Sequence, residues 1–181
     1  MEKGRLEAFS DGVLAIIITI MVLELGLPGG DGVDDLLVLA PTLRAYVISF
    51  LFIAIYWVNH HQMFHDVEKV NVKVLWCNIA WLFVMSLIPF STAWIEAYPE
   101  SWFPLTHYFA DMALAAIAFH LMAYLIAREN GRPFKLGVRS IVSLATYCLA
   151  AVLGGLCPVA AYIAVAAVSC WWIVPMKPRE S

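Results

Sequence analysis

Glu7-Ala8-Phe9-Ser10-Asp11-Gly12-Val13-Leu14-Ala15-Ile16-Ile17-Ile18-Thr19-Ile20-Met21-Val22-Leu23-Glu24-Leu25 is the stretch on which the fold turns. A helix crossing a bilayer needs roughly 20 mainly apolar residues at about 1.5 Å each, and this segment, 7–25, has that length. Turned at about 100° per residue, it brings Ile16, Thr19, Ile20 and Leu23 into one arc of about 100°, which Gly12 and Leu27 extend. Asp11 lies on the other side with Glu7, Leu14, Ile18 and Met21. One face is therefore a smooth aliphatic strip with a single hydroxyl, and the other carries a carboxylate that needs a partner. Contact with lipid or with a helical core is the alternative use of the strip.

Outward from this segment the same composition continues. The chain has 181 residues, 62% of them hydrophobic and only 14% charged, with a mean hydropathy of +0.81. Ordinary globular chains are roughly 45–50% apolar and about 25% charged, so the excess has to face lipid or other membrane helices. A net charge of −3 argues against a nucleic-acid binder, and four cysteines with no C-x-x-C pair argue for buried thiols rather than a metal or disulfide framework. Five further apolar segments follow at 43–60, 74–97, 105–127, 137–153 and 156–174. The expected fold is an all-α, six-span transmembrane bundle forming a single membrane domain over 1–181. Turn chemistry separates the spans at Pro28-Gly29-Gly30-Asp31-Gly32, at Pro99 and Pro104, at Asn130-Gly131-Arg132-Pro133, and near Gly154-Gly155 and Pro158. With no small-x-small cleavage site before Pro28, the first segment reads as a retained helix rather than a signal peptide.

Lysine and arginine set the orientation. Lys3, Arg5, Lys69, Lys73, Arg128, Arg132, Lys135, Arg139, Lys177 and Arg179 fall on one side of the six spans, and Arg44 alone falls on the other. The positive-inside rule places the basic side, and with it both termini, in the cytoplasm. Asp11 then lies near the cytoplasmic interface, suited to a helix cap or an interhelix hydrogen bond.

Ionisable groups inside a membrane cost several kcal/mol unless paired or wet, so each is a functional candidate. The second span ends in Tyr56-Trp57-Val58-Asn59-His60-His61-Gln62-Met63-Phe64-His65, where Trp57 and the imidazoles reach the same end of the bundle as Asp11. His61 and His65 have a metal-ligand spacing, but the other candidates, His107, Asp111 and His120, sit on the fourth span and offer no facing pair, so no cofactor or metal is expected. The third span contains Pro89, which removes a backbone hydrogen bond and predicts a kink, with Ser86 able to bond a freed carbonyl one turn back.

Arg5-Leu6-Glu7-Ala8-Phe9-Ser10-Asp11-Gly12 resembles the R-x-x-x-F-S-D signature of the endolysosomal potassium channel family, transmembrane protein 175, in its single-repeat prokaryotic branch. Trp57 with His60-His61, and the Asn78…Ser86-Leu87-Ile88-Pro89-Phe90 pattern, match that family as well. The resemblance implies a homotetramer in which every subunit gives its first helix to a central pore narrowed by aliphatic side chains. Carried over, Ile16 is the constriction, and Thr19, Ile20 and Leu23 line further layers. Arg5, Phe9, Ser10 and Asp11, with Trp57 and either His60 or His61, form the network that holds the pore helix. The chain has no T-V-G-Y-G loop, so coordination by filter carbonyls is not expected. Selectivity would instead come from dehydration at the Ile16 ring, which favours potassium because it sheds water more easily than sodium.

Glu24 at the outer end of the first span, with Asp31, Asp34 and Asp35 in the loop after it, would be multiplied by fourfold symmetry into an acidic outer vestibule. An ordinary solvated loop is the alternative. The expected function is a potassium-permeable cation channel of the plasma membrane, not an enzyme, with potassium ions, lipid and its own copies as partners and no nucleic acid. A proton-coupled secondary transporter using Asp11, the histidines and Pro89 is the second reading, although the inverted repeats usual in that class are not found.

Overall fold

A computed structural model describes residues 2–65, 67, 70–98 and 101–174. Lys69, Pro99, Lys177 and Arg179, used above for orientation and turns, lie outside the described residues. The described chain is all helical: α1 (Lys3–Leu23), α2 (Val33–Val38), α3 (Ala40–His65), α4 (Val72–Met85), α5 (Ile88–Ala97), α6 (Trp102–Glu129), α7 (Val138–Leu153) and α8 (Pro158–Ile173).

Among the described residues four segments are long and apolar enough to cross a membrane: Lys3–Leu23, Ala40–His65, Val72–Ala97 and Trp102–Glu129. α7 and α8 are apolar but have only 16 residues each. At 1.5 Å per residue each is about 24 Å long, short of a bilayer core of about 30 Å. The first helix starts four residues before the expected span and stops at Leu23, where Gly26 follows in a left-handed conformation (φ 67°) open to glycine. α2 is an element the polar loop reading did not contain. Its N-terminus is closed by Asp35, whose carboxylate accepts from the Gly32 amide at 3.1 Å.

The third span breaks where Pro89 requires it. α4 ends at Met85, α5 begins at Ile88 with the proline in its first turn, and the Leu87 amide tightens to the Val84 carbonyl at 3.0 Å. Ser86 donates to Phe83 at 2.7 Å, one turn back, and not to Met85, the carbonyl that Pro89 frees.

The basic residues gather at one end. Lys3 donates to the last carbonyl of α3, His65, at 2.9 Å. Lys73 at the start of α4 meets Glu129 at the end of α6 at 4.0 Å. Arg139 at the start of α7 donates to Val174, just past α8, at 3.0 Å. Three independent contacts thus tie the helix ends that carry these lysines and arginines to the same pole.

α6 packs against α4, α5 and α7, while α1 packs against α3, α4 and α5. The centre is aromatic: Trp81 of α4, Tyr56 and Phe52 of α3, Phe119 of α6 and Tyr147 of α7 meet in tilted and edge-on pairs. Such pairs add about 0.5–1.5 kcal/mol each beyond their buried area, so this cluster fixes how the helices meet.

Candidate pore helix and its anchoring network

α1 has two faces. Leu6, Ser10, Leu14, Ile17 and Met21 are buried against α3, α4 and α5. On the other side Ile16 is 59% exposed, Ile20 42% and Leu23 78%, with Thr19 exposed between them. Leu14 and Met21, assigned by the helical wheel to the Asp11 side, are in the core, and the aliphatic arc looks away from the protomer. The Thr19 hydroxyl sits 3.0 Å from the carbonyls of both Ala15 and Ile16. Its proton is given back to the helix, so the oxygen turns its lone pairs outward. A groove of about 540 Å³ runs beside the strip, between Ile16 and Ile20 on α1, Glu24 just past its end, and Pro89 and Phe90 on α5.

Two separate chains of hydrogen bonds hold α1. At the margin, Trp57 Nε1 donates to Asp11 at 2.8 Å, with both residues exposed. Deeper, Ser10 donates to Leu6 of its own helix at 2.9 Å and accepts from Asn78 Nδ2 at 3.0 Å. The Asn78 amide oxygen lies 2.9 Å from His60 Nε2, so this imidazole nitrogen carries the proton and donates. His60 is stacked on Trp81 at 5.0 Å with the rings 10° from parallel. Ser10, Asn78, His60 and Trp81 are all buried. α1, α3 and α4 are therefore tied by the polar path Ser10–Asn78–His60, while the indole N–H of Trp81 is buried with no hydrogen-bond partner among the described residues.

The structure places the remaining candidates as follows. His60, not His61, joins the network; His61 is exposed at the end of α3. Arg5 and Phe9 face out of the protomer and take part in neither chain of bonds. Asp31 and Asp34 are exposed, and Asp35 is half-buried by its helix-capping bond. Asn78 as the link and Trp81 as the bed for His60 were not picked out as site residues by sequence reading. Their signal was an amide inside an apolar span with an indole one turn later on the same face.

A second buried polar cluster lies among α3, α5 and α6. Ser49 bonds Thr92 at 2.7 Å and Tyr108 at 2.8 Å, and Thr92 also bonds the Ile88 carbonyl at 2.7 Å. Beside it Ser91 donates to Asp111 and lies 3.1 Å from His107. His120 is elsewhere on α6, turned onto the Ala116 carbonyl at 2.6 Å. Among the described residues no three His, Cys, Asp or Glu side chains form a metal-binding group.

An all-helical, multi-pass membrane protein with one outward aliphatic strip on its leading helix is what this geometry defines. The sequence pattern described as endosomal/lysosomal potassium channel TMEM175 matches residues 5–89, the part holding most of α1 and all of α2, α3 and α4. A Chryseobacterium sp. (strain P1-3) protein named potassium channel is 40% identical over 189 residues, covering 99% of this chain and 97% of that one. A solved structure, titled as a lysosomal potassium-selective channel TMEM175 homolog from Chamaesiphon minutus, superposes with a TM-score of 0.70 at 28% identity, covering 94% of each chain. A chicken relative named endosomal/lysosomal proton channel TMEM175 is 26% identical over 102 residues, 52% of this chain and 20% of that one. Two other bacterial relatives named potassium channel are spanned over about half their length. This chain belongs to the TMEM175 family. These relatives are named for ion conduction, none as an enzyme.

Proposed function

We propose that the chain is one subunit of a homotetrameric, potassium-permeable channel of the plasma membrane, with both termini in the cytoplasm and its six apolar segments spanning the bilayer, locally thinned where the short α7 and α8 cross. The α1 strips of four copies face a common axis. Ile16 forms the narrow apolar neck, and Thr19, Ile20 and Leu23 line the path beyond it. The observation that carries this reading is the exposure of Ile16, Ile20 and Leu23 on a helix whose opposite face is locked into the protomer. A strip so anchored is held rigidly for a partner, and a ring of such helices would enclose a water-filled path that one helix cannot.

Conduction is passive. An ion entering the neck has to shed part of its hydration shell against side chains that offer no ligand in return, and the weaker hydration of potassium favours it over sodium. The Thr19 oxygens, with their protons given to the helix, would supply partial replacement for lost water. Ser10, Asn78, His60 and Trp81, with Asp11 and Trp57 at the margin, keep α1 in register so that the neck keeps its diameter. The relatives named potassium channel support the choice of ion. The proton-channel name among vertebrate relatives makes proton flux the comparison to run alongside.

Glu24, Asp31, Asp34 and Asp35 would form an acidic outer mouth that concentrates cations. In proteoliposomes, potassium flux down its gradient should exceed sodium flux and proceed with no pH gradient. Uptake that required a proton gradient and saturated would remove the channel reading. In the same vesicles, neutralising all four carboxylates should lower flux roughly twofold or more at about 10 mM salt, where the Debye length is about 30 Å, and have little effect near 1 M. Unchanged low-salt flux would reduce the four to an ordinary loop.

A further inference from the structure

We propose that a groove between α3 and the α7–α8 pair, remote from the α1 strip, binds one anionic phospholipid of the cytoplasmic leaflet. The groove encloses about 630 Å³. Leu51, Ile55 and Val58 on α3 make an apolar floor, and Gln62 and Arg139 stand at the upper end, with Trp172 along the opposite wall.

The charge and the length fit the same occupant. From Leu51 to Gln62 the helix rises about 16 Å, half of a bilayer core of about 30 Å; the apolar floor from Leu51 to Val58 takes about 10 Å of this, enough for the upper part of one leaflet's acyl chain with Gln62 and Arg139 at headgroup level. The polar end is the pole where Lys3, Lys73 and Arg139 meet their partners, the end that the positive-inside rule puts in the cytoplasm. Arg139 is already oriented: one guanidinium nitrogen donates to the Val174 carbonyl at 3.0 Å, and the cation lies over the Trp171 ring at 5.4 Å. A guanidinium has five N–H groups, so donors remain to form a fork on a phosphate, and aromatic rings at headgroup level are usual membrane anchors. A neutral acyl chain would explain the floor but not the cation at its mouth. A second copy of this chain would have to bring a carboxylate or carbonyl to the same point.

The test uses full-length protein purified in detergent with an equal mixture of phosphatidylglycerol and phosphatidylcholine, with retained lipid counted by native mass spectrometry. Because the readout is bound lipid, its outcome is independent of whether the chain conducts potassium. Phosphatidylglycerol should be retained over phosphatidylcholine by about fivefold, as a basic residue at the membrane surface supplies. Arg139→Gln should bring the ratio close to one and Arg139→Lys should keep most of it. Val58→Trp, which fills the floor without changing charge, should lower retention of both lipids. Equal retention of the two lipids by the unmodified protein would overturn the proposal. So would a preference unaffected by Arg139→Gln and Val58→Trp, or a change of oligomeric state in Val58→Trp, which would mark the groove as a contact between copies. If Arg139→Gln does not fold, Val58→Trp decides the matter alone.

Discussion

Replacing Ile16 by asparagine is expected to raise cation leak through reconstituted channels about tenfold and to bring the potassium-to-sodium flux ratio toward one. In the proposed neck an isoleucine ring gives an ion no ligand, so the barrier is dehydration, and that barrier is what separates the two ions. An asparagine in each subunit adds amide oxygens and keeps water in the neck. A change of about 1.4 kcal/mol in the barrier is a factor of ten in rate, a modest demand for several new polar groups. Leu153→Asn is the control, because Leu153 is half exposed at the far end of α7 and away from the α1 strip. Its flux should match that of the unmodified protein. Equal effects of the two substitutions would mean that the polar residue perturbs the bundle generally, and the neck would not be at Ile16.

The second large effect concerns stability. Trp81→Ala should destabilise the detergent-solubilised protein by about 3–5 kcal/mol, the range for truncating a buried tryptophan. Trp81 has no exposed surface, lies parallel to His60 and touches Tyr56 and Phe119, so removing it opens a cavity where α3, α4 and α6 meet. Asn78→Leu should cost less, about 1–2 kcal/mol, because it leaves Ser10 and His60 each short of one partner while filling the space. Thermal unfolding followed by tryptophan fluorescence or size exclusion measures both. If Trp81→Ala matched Asn78→Leu, the bundle would be held by its polar path and not by the aromatic centre.

How much of this was legible in the sequence depends on which forces decide each feature. Apolar length decides a membrane helix: helices occupy all six expected stretches, but among the described residues only four of them are long enough to cross, and α7 and α8 are shorter than the sequence pattern suggests. The break at Pro89 was legible because a missing N–H acts locally. α2 was not, since its six residues of Val, Asp and Leu follow three glycines and Asp31 that read as loop, and Asp35 caps it through a bond invisible in composition. The outward strip of α1 followed from helical geometry, but the centre of its buried face did not: Asp11, placed by the wheel opposite the strip, is exposed, and Ser10 and Ile17 are buried. The choice between His60 and His61 did not either, because adjacent residues on a helix differ by about 100° and only packing against α4 says which one turns inward. The same limit hid the Ser49–Thr92–Tyr108 contacts, which join residues from three helices, and the bonds of Ser91 on α5 to Asp111 and His107 on α6. Arg5 and Phe9 show the converse: the motif singles them out, yet they point away from the protomer, into the region that neighbouring copies would occupy in the proposed assembly.

The most direct test is thiol accessibility from the conduction path. Cysteine is placed singly at Ile16, Ile20, Leu14 or Ile17 in a chain whose own cysteines, Cys77, Cys148, Cys157 and Cys170, are replaced. Block of potassium flux by a small thiol-reactive cation is then followed in proteoliposomes. The account predicts block at 16 and 20, which face outward, and none at 14 and 17, which are buried in the protomer. Conduction that persists unblocked with cysteine at both 16 and 20, or block at 14 and 17 instead, would contradict it.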